Sequence, residues 1–166
     1  ERRPTEVLPY LFVGSILEAR NESTLKRLGI THIANVTGIP TSLSRKFRYL
    51  QVAIEDHPTE SIEQYFDRMT AFIQDIQKSG GKVLVHCHMG VSRSTTFVFA
   101  FLMTNLRLSF ATAMLYLATL HPRTQSVSSS VTAGSPNCGF QNKLCTLETN
   151  LFGISTVHRG NAIAVV

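Results

Sequence analysis

The chain has 166 residues, a length that fits one ordinary globular domain and excludes two large ones. Apolar residues make up 43% of it and charged residues 16%, a balance that supports a buried core and excludes a disordered chain. The longest run of apolar residues, Phe97 to Met103, is too short to cross a bilayer. We therefore expect a soluble protein with no membrane partner.

The three cysteines and the charge pattern predict a compartment and a kind of ligand. Cys87, Cys138 and Cys145 form an odd set without framework spacing, which favours a reducing compartment, cytoplasmic and also nuclear. The charged first residues do not resemble a signal peptide.

Residues 1–76 carry a net charge of −1 and residues 77–166 one of +6, so the second half should attract anions. No cluster of five basic residues occurs, and we expect no nucleic-acid partner.

Secondary-structure patterns in chain order predict an α/β fold. Short β-branched or aromatic runs alternate with helical periodicity over the first 120 residues, which favours a sheet with covering helices. The predicted strands cover residues 10–13, 32–36, 49–54 and 82–86. The predicted helices cover residues 21–28, 62–76, a segment starting near 93, and residues 109–121 and 139–151.

The helix predicted over residues 62–76 has the clearest pattern in the chain. Its apolar residues recur at helical spacing and trace one face: Ile62, Tyr65, Phe66, Met69, Phe72, Ile73 and Ile76. Ser61 and Gln64 have the spacing of a capping box at its start. Gly80 and Gly81 then interrupt the chain before a short, continuously apolar strand, which is typical of a buried central position.

Two segments carry no regular pattern. Residues 123–136 are rich in Ser, Thr and Gly and predict a surface loop inserted into the domain. The chain after Phe152 has no helical period, and its apolar end could form an edge strand or a disordered terminus. We therefore predict one domain over residues 1–152, with a loop insertion at about 123–136, and a tail over 153–166.

The segment Val85 to Ser94 carries the chemistry. It joins the most buried predicted strand to the most apolar predicted helix through a tight loop. At the start of a helix, the backbone N–H groups and the positive end of the helix dipole are directed at one point. Cys87 would lie at that point, where the field favours the nucleophilic thiolate. The side chain of Arg93 can reach back to the opening of the loop, where its planar guanidinium can bind two phosphoryl oxygens. These features predict a phosphate site with a cysteine nucleophile.

The stretch His86 to Ser94 resembles the signature loop of cysteine-dependent protein tyrosine phosphatases, and most closely the dual-specificity branch. The similarity covers roughly residues 5 to 150. It also includes residues 8–14, residues 28–37, Asp56 before an Ile-x-x-Tyr-Phe helix, and the segment from Pro136 to Phe140. The resemblance implies a three-layer α/β fold with a central, mostly parallel sheet of about five strands covered by helices.

The same resemblance implies roles for the residues of the loop. Cys87 would be the nucleophile, and the hydroxyl of Ser94 would hydrogen-bond the departing sulfur. His86 and Asn137 would support the loop, and no metal or cofactor would be needed. The substrate phosphate would be bound by the backbone or side chains of His88, Met89, Gly90, Val91, Ser92 and Arg93.

Phosphate transfer through cysteine also needs a proton donor for the leaving oxygen. Asp56 lies after a predicted strand, in a His-Pro-Thr loop, where the family carries its general acid. Glu55 is the alternative, although it points the other way if the strand persists.

Other interpretations of the same residues remain open at this point. Cys87 could be a buried structural thiol, and His86, Cys87 and His88 could suggest a metal site. The fold could serve as a non-catalytic phosphoprotein-binding scaffold, or act on a phosphoinositide or an RNA 5′ phosphate. The variable loop positions contain no Lys, so phosphorylated proteins, including signalling kinases, are the favoured substrates. The sequence does not predict an oligomeric state.

Overall fold

A computed structural model describes residues 3–39, 45–120 and 135–157. In chain order the elements in these ranges are β1 (Thr5–Leu8), β2 (Leu11–Ser15), α1 (Ile16–Ala19), α2 (Glu22–Arg27), β3 (His32–Asn35), β4 (Arg48–Gln51), a 3₁₀ helix (Ile62–Tyr65), α3 (Phe66–Lys78), β5 (Val83–Cys87), α4 (Arg93–Leu106), α5 (Phe110–Leu120) and α6 (Cys138–Phe152). None of the helices in these ranges has both the length and the apolar character needed to cross a membrane.

The five strands form one sheet in the order β1-β2-β5-β3-β4. The β2–β5, β5–β3 and β3–β4 pairs are parallel, and only the edge strand β1 is antiparallel to its neighbour. β5 occupies the centre, as its continuous apolar sequence predicts for a strand buried on both faces. The predicted α/β fold with a mostly parallel sheet of about five strands is confirmed.

Alternation along β5 decides which face each side chain reaches, because successive residues of a strand point to opposite faces. Val83, Val85 and Cys87 belong to the larger hydrophobic core. Leu84 points to the other face and packs in a smaller core with Phe12 of β2. The larger core also contains buried residues of α3, α4, α5 and α6, so Cys87 lies on the same side of the sheet as α4.

Helix α4 is the central helix, because every residue from Ser94 to Met103 is buried. A helix that is apolar around its whole circumference can be stable only when it is enclosed by other elements. Helix α3 instead shows the one-sided pattern that its sequence predicts, with Phe66, Met69, Ile73 and Ile76 buried. The enclosed helix fixes the position of the loop that precedes Arg93.

The structure corrects three local predictions. Ser61 makes no side-chain cap hydrogen bond, because residues 62–65 form a 3₁₀ helix before α3, so the predicted capping box is wrong. β4 ends at Gln51 rather than at residue 54. The edge strand β1 and the four-residue helix α1 were not predicted, since elements this short carry little periodicity.

A buried carboxylate holds the segment after α6 in place. Glu148 is fully buried and accepts hydrogen bonds from the Phe110 N–H at the start of α5, at 2.7 Å, and from the Thr156 N–H, also at 2.7 Å. The hydroxyls of Ser155 and Thr156 donate to the same carboxylate, and Val157 is buried. The predicted tail is therefore packed as far as Val157, while residues 158–166 and most of the predicted 123–136 insertion lie outside the described residues.

Candidate active site

The loop between β5 and α4 is pressed against the end of β2. Gly90 has a φ of +76°, and a Cβ at this position would lie 2.7 Å from the Gly14 carbonyl carbon. The N–H of Ile16, at the start of α1, donates to the His88 carbonyl at 3.2 Å. A side chain at Gly90 would require both a rare backbone conformation and displacement of β2. The shape of the loop is therefore fixed by a close backbone contact.

Cys87 is the last residue of β5 and its thiol is surrounded by hydrogen-bond donors. The side chain is only 2% exposed. The N–H of Gly90 donates to Sγ at 3.2 Å, and the hydroxyl of Ser94, in the first turn of α4, lies 3.2 Å from Sγ. Donors and a helix N-terminus directed at one atom stabilise negative charge on it. The arrangement therefore suits a thiolate.

The guanidinium of Arg93 is fixed through one of its nitrogens, Nη1. Nη1 donates to the carbonyl of Thr37, which follows β3, at 3.0 Å and to the carbonyl of Ile54, which follows β4, at 2.9 Å. Nε is buried and has no hydrogen-bond partner among the described residues. Burial of an unsatisfied donor is costly, and a ligand with acceptor oxygens would remove this cost. Arg93 is therefore held ready for an oxyanion.

The turn after β3 is shaped by Asn35. Its Oδ1 accepts hydrogen bonds from the N–H and the hydroxyl of Thr37, at 3.0 and 2.7 Å, and its Nδ2 donates to the Ile39 carbonyl at 2.9 Å. This short side-chain network mimics backbone turn hydrogen bonds and orders the segment. It fixes the Thr37 carbonyl that accepts from Arg93.

Asp56 is held beside the loop by two side chains. The Ser92 hydroxyl donates to Asp56 Oδ1 at 2.7 Å, and Asn137 Nδ2 donates to the same oxygen at 2.8 Å. The Asn137 N–H in turn donates to the Ser92 hydroxyl at 3.1 Å, so the three residues form a closed set of hydrogen bonds. Glu55 is exposed and makes no hydrogen bond to the loop within the described part of the chain.

Helix α6 fixes the segment around Asp56 from a second side. Asn137 is the N-cap of α6, and its Oδ1 accepts from the Phe140 N–H at 3.0 Å. A Cβ on Gly139 would lie 1.8 Å from the carbonyl oxygen of Pro58, a distance that backbone atoms cannot accommodate. The Pro-Asn-x-Gly-Phe sequence thus serves as a cap and as a backbone contact with the Asp56 loop.

His86 lies beneath the loop and supports it from the buried side. It is 1% exposed, and its Nδ1 lies 3.4 Å from the Cys87 carbonyl oxygen. Burial lowers the pKa of His86 to about 4, and the hydrogen bond to Cys87 only partly opposes this shift. The imidazole is therefore neutral at physiological pH.

The lowered pKa of His86 predicts a stability change with pH. The unfolded chain binds a proton on this histidine near pH 6.5, whereas the folded protein resists it down to about pH 4, so stability falls as the pH drops through this window. We expect His86 to contribute a loss of about 3 kcal/mol between pH 6.5 and 4. The free energy of unfolding, measured with urea at several pH values, should fall less steeply with decreasing pH for His86→Gln than for wild type. The control His57→Gln, at an exposed position, should keep the wild-type slope, and equal slopes in all three proteins would contradict the prediction.

The rim of the loop differs from its interior. His88 and Met89 are exposed, Met89 to 62%, whereas Val91 is half-buried. His88 is exposed whereas His86 is buried, which does not fit the alternative of a metal site on His86, Cys87 and His88. No group of three or more His, Cys, Asp or Glu residues within the described ranges is arranged to hold a metal ion.

The structure brings the predicted residues together and adds contacts that the sequence did not indicate. Cys87, Arg93, Ser94, Asp56 and Asn137 converge on one loop, and their catalytic roles stay predictions. Ser92 was predicted only as part of the phosphate loop, but its hydroxyl is used to hold Asp56. The carbonyls that fix Arg93 were not predicted, because every residue has a backbone carbonyl and the sequence does not indicate which of them accept.

Comparison with known proteins identifies the family to which this chain belongs. Residues 11–150 match the sequence pattern of the dual specificity phosphatase catalytic domain. The chain therefore belongs to the dual specificity phosphatase family, whose members are protein phosphatases acting on phosphorylated tyrosine and on phosphorylated serine or threonine. Phosphorylated proteins are the substrates of this class.

Two curated relatives show how much of a longer protein the chain represents. Dual specificity protein phosphatase 22-B of Danio rerio is 35% identical over 144 residues, which cover 87% of this chain and 73% of the relative. MAP kinase phosphatase with leucine-rich repeats protein 3 of Dictyostelium discoideum is 36% identical over 151 residues, covering 90% of this chain. The chain spans only 16% of that second relative.

A solved structure agrees with the fold. The crystal structure of human DUSP28 superposes with a TM-score of 0.79 at 29% identity, covering 91% of this chain and 96% of that one. A similarity over nine-tenths of the chain agrees with the fold that the resemblance to protein tyrosine phosphatases implies.

Proposed function

We propose that this chain hydrolyses phosphate monoesters of proteins through a phosphocysteine intermediate. The observation that carries the proposal is Arg93, whose Nη1 is held by two carbonyls while its buried Nε finds no partner in the part of the chain that the structure describes. A guanidinium can donate two parallel hydrogen bonds to a phosphate group, and Cys87 lies at the base of the same loop.

In the first step the Cys87 thiolate attacks phosphorus in line. The Sγ–P bond forms as the P–O bond to the substrate breaks, and the equatorial oxygens are held by Arg93 and by N–H groups of the loop. Asp56 gives its proton to the leaving oxygen, because expulsion of an alkoxide or phenolate without a proton is slow. The Ser92 and Asn137 donors fix the carboxyl for this transfer.

In the second step water attacks the phosphocysteine. Asp56, now ionised, accepts a proton from that water, the S–P bond breaks, and inorganic phosphate leaves. The hydroxyl of Ser94, 3.2 Å from Sγ, donates to the departing thiolate. Every proton and bond is accounted for without a metal ion or cofactor.

Phosphorylated signalling kinases are the substrates that we propose for the whole protein. One relative carries MAP kinase phosphatase in its name, and the exposed rim residue Met89 offers no cation for a polyphosphorylated lipid. A catalytic thiol must also stay reduced, which supports a cytoplasmic location, with the nucleus as a second one.

An assay with a small aryl phosphate tests the proposal directly. Purified wild-type protein should release phosphate in the presence of a metal chelator and a thiol reductant, with a bell-shaped dependence of kcat/KM on pH. Orthovanadate, an analogue of the transition state, should inhibit it. Binding of phosphopeptides without any phosphate release would favour the non-catalytic scaffold instead.

A further inference from the structure

A groove of about 460 Å³ opens at the edge of the sheet opposite to Cys87. Its walls come from residues 45–48, which lead into β4, from the first residue of β3, and from the turn between α3 and β5. Because β3, β4 and β5 are parallel, their N-terminal ends meet at this edge, whereas Cys87 ends β5 at the other. Gly81 and Cys87 are six positions apart, which in extended chain is a distance of about 20 Å.

The lining of the groove is strongly basic. Arg45, Lys46 and Arg48 all contribute to it, and none of its other lining residues in the described part of the chain is acidic. Lys46 pairs with Glu22 of α2 at 2.9 Å. Arg45 and Arg48 are exposed and form no ion pair with any residue in the described ranges. Two guanidinium groups therefore line the groove with no ion-pair partner in the ranges 3–39, 45–120 and 135–157.

Like charges crowd around the groove. The pKa of His32, a lining residue, is lowered by burial and then by the charge of Arg48. The pKa of Lys26, on the neighbouring helix α2, is lowered chiefly by the ammonium group of Lys46. The pKa of Lys46 itself is raised, chiefly by its hydrogen bond to Glu22, so the charge that acts on His32 is that of Arg48. A bound anion would offset this charge.

The turn between α3 and β5 leaves room for a ligand. Gly80 has a φ of +74°, and open space surrounds the position where its Cβ would stand. Residues without side chains allow a ligand to approach the backbone closely. The groove thus combines open space with fixed positive charge.

We infer that this groove is a second, non-catalytic binding site for the phosphate group of another phosphorylated residue on the protein substrate. Arginine recognises phosphate well because its planar fork can donate two parallel hydrogen bonds to it. The inference rests on the proposed function, since it assumes a substrate that is a phosphorylated protein.

The charges beside the groove favour a single phosphate over an extended anionic surface. The Glu22 carboxylate is paired with Lys46, which lines the groove, and this negative charge would repel the dense phosphates of a membrane or a nucleic acid. The separation from Cys87 also sets the spacing of the two phosphates. An extended chain covers at most about 3.6 Å per residue, so more than about six residues must separate them, and a path around the surface requires more.

Titration with inorganic phosphate, followed by NMR, tests whether the groove binds the anion. In wild type we expect saturable shifts of the Gly80 and Gly81 amides and of the His32 ring, separate from shifts in the Cys87 loop. The double variant Arg45→Gln/Arg48→Gln should lose the groove shifts and keep those of the loop. Arg68→Gln, which removes an exposed arginine near the start of α3, should keep both sets. Absence of groove shifts in wild type, or their persistence in the double variant, would overturn the inference.

Kinetics with peptides test whether the bound phosphate belongs to the substrate. A peptide with two phosphorylated residues fifteen positions apart should show a KM at least about fivefold lower than its singly phosphorylated counterpart. The double variant should lose this advantage, Arg68→Gln should keep it, and aryl phosphate hydrolysis should be equal in all three proteins. Equal KM values for the two peptides would overturn the inference even if free phosphate binds. An inactive wild type would refute the proposed function alone, because the NMR shifts do not depend on turnover.

Discussion

Cys87→Ser is expected to abolish phosphate release while leaving the protein able to bind a phosphorylated ligand. A serine hydroxyl can occupy the same position between the Gly90 N–H and the Ser94 hydroxyl, so the loop should keep its shape. A hydroxyl is far less nucleophilic than a thiolate, and loss of a nucleophile reduces turnover by on the order of 10⁴- to 10⁶-fold. Hydrolysis of an aryl phosphate gives the rate, and calorimetric titration with a phosphopeptide gives the affinity.

A matched cysteine variant controls for the loss of a thiol as such. Cys138 is exposed at the start of α6, and Cys138→Ser should retain wild-type turnover. Turnover by Cys87→Ser above about a hundredth of the wild-type rate would mean that another group attacks phosphorus. Loss of phosphopeptide binding in this variant would contradict the view that Arg93 and the loop N–H groups hold the phosphate.

Asp56→Asn is expected to slow turnover most for substrates with poor leaving groups. Asparagine can still accept hydrogen bonds from Ser92 and Asn137 through its carbonyl oxygen, so the local structure should survive. It cannot donate the proton that an alkoxide needs, and general acid catalysis contributes about 10²- to 10⁴-fold. We expect the full loss with a phosphoserine peptide and a smaller loss with an aryl phosphate, whose phenolate leaves more readily.

The pH profile distinguishes a lost proton donor from a distorted site. A general acid must be protonated in the rate-determining step, so the rate of wild type should fall on the alkaline side, and Asp56→Asn should flatten this limb. Glu55→Gln, at the adjacent exposed position, should keep both the rate and the limb. Equal losses of Asp56→Asn with both leaving groups, or a larger effect from Glu55→Gln, would assign the proton to a different residue.

The loop from Cys87 to Arg93 could be predicted from the sequence because its information is local. A buried strand, a glycine at a positive φ and the start of an enclosed helix occupy adjacent positions, and each leaves its own pattern. The strand order β2-β5-β3 follows less directly, but the continuous apolar run of β5 indicates a central strand.

The contacts that complete the site join residues that are far apart in the chain. Ser92 and Asp56 are separated by 36 positions, and Asn137 and Asp56 by 81, so no periodicity records their pairing. The sequence predicts Ser92 only as part of the phosphate loop, because its hydrogen bond to a distant carboxylate depends on tertiary packing. The wrong prediction of a capping box at Ser61 has the opposite cause, since a 3₁₀ helix overrides a suitable local pattern.

The contacts of Glu148 with the segment after α6 limit how far the protein can be shortened. A version shortened after Phe152 would remove the donors from Ser155 and Thr156 and leave the Phe110 N–H as the remaining donor among the contacts described. Stranding a carboxylate inside the protein in this way is strongly destabilising. A recombinant fragment intended for crystallisation or screening should therefore retain at least Val157.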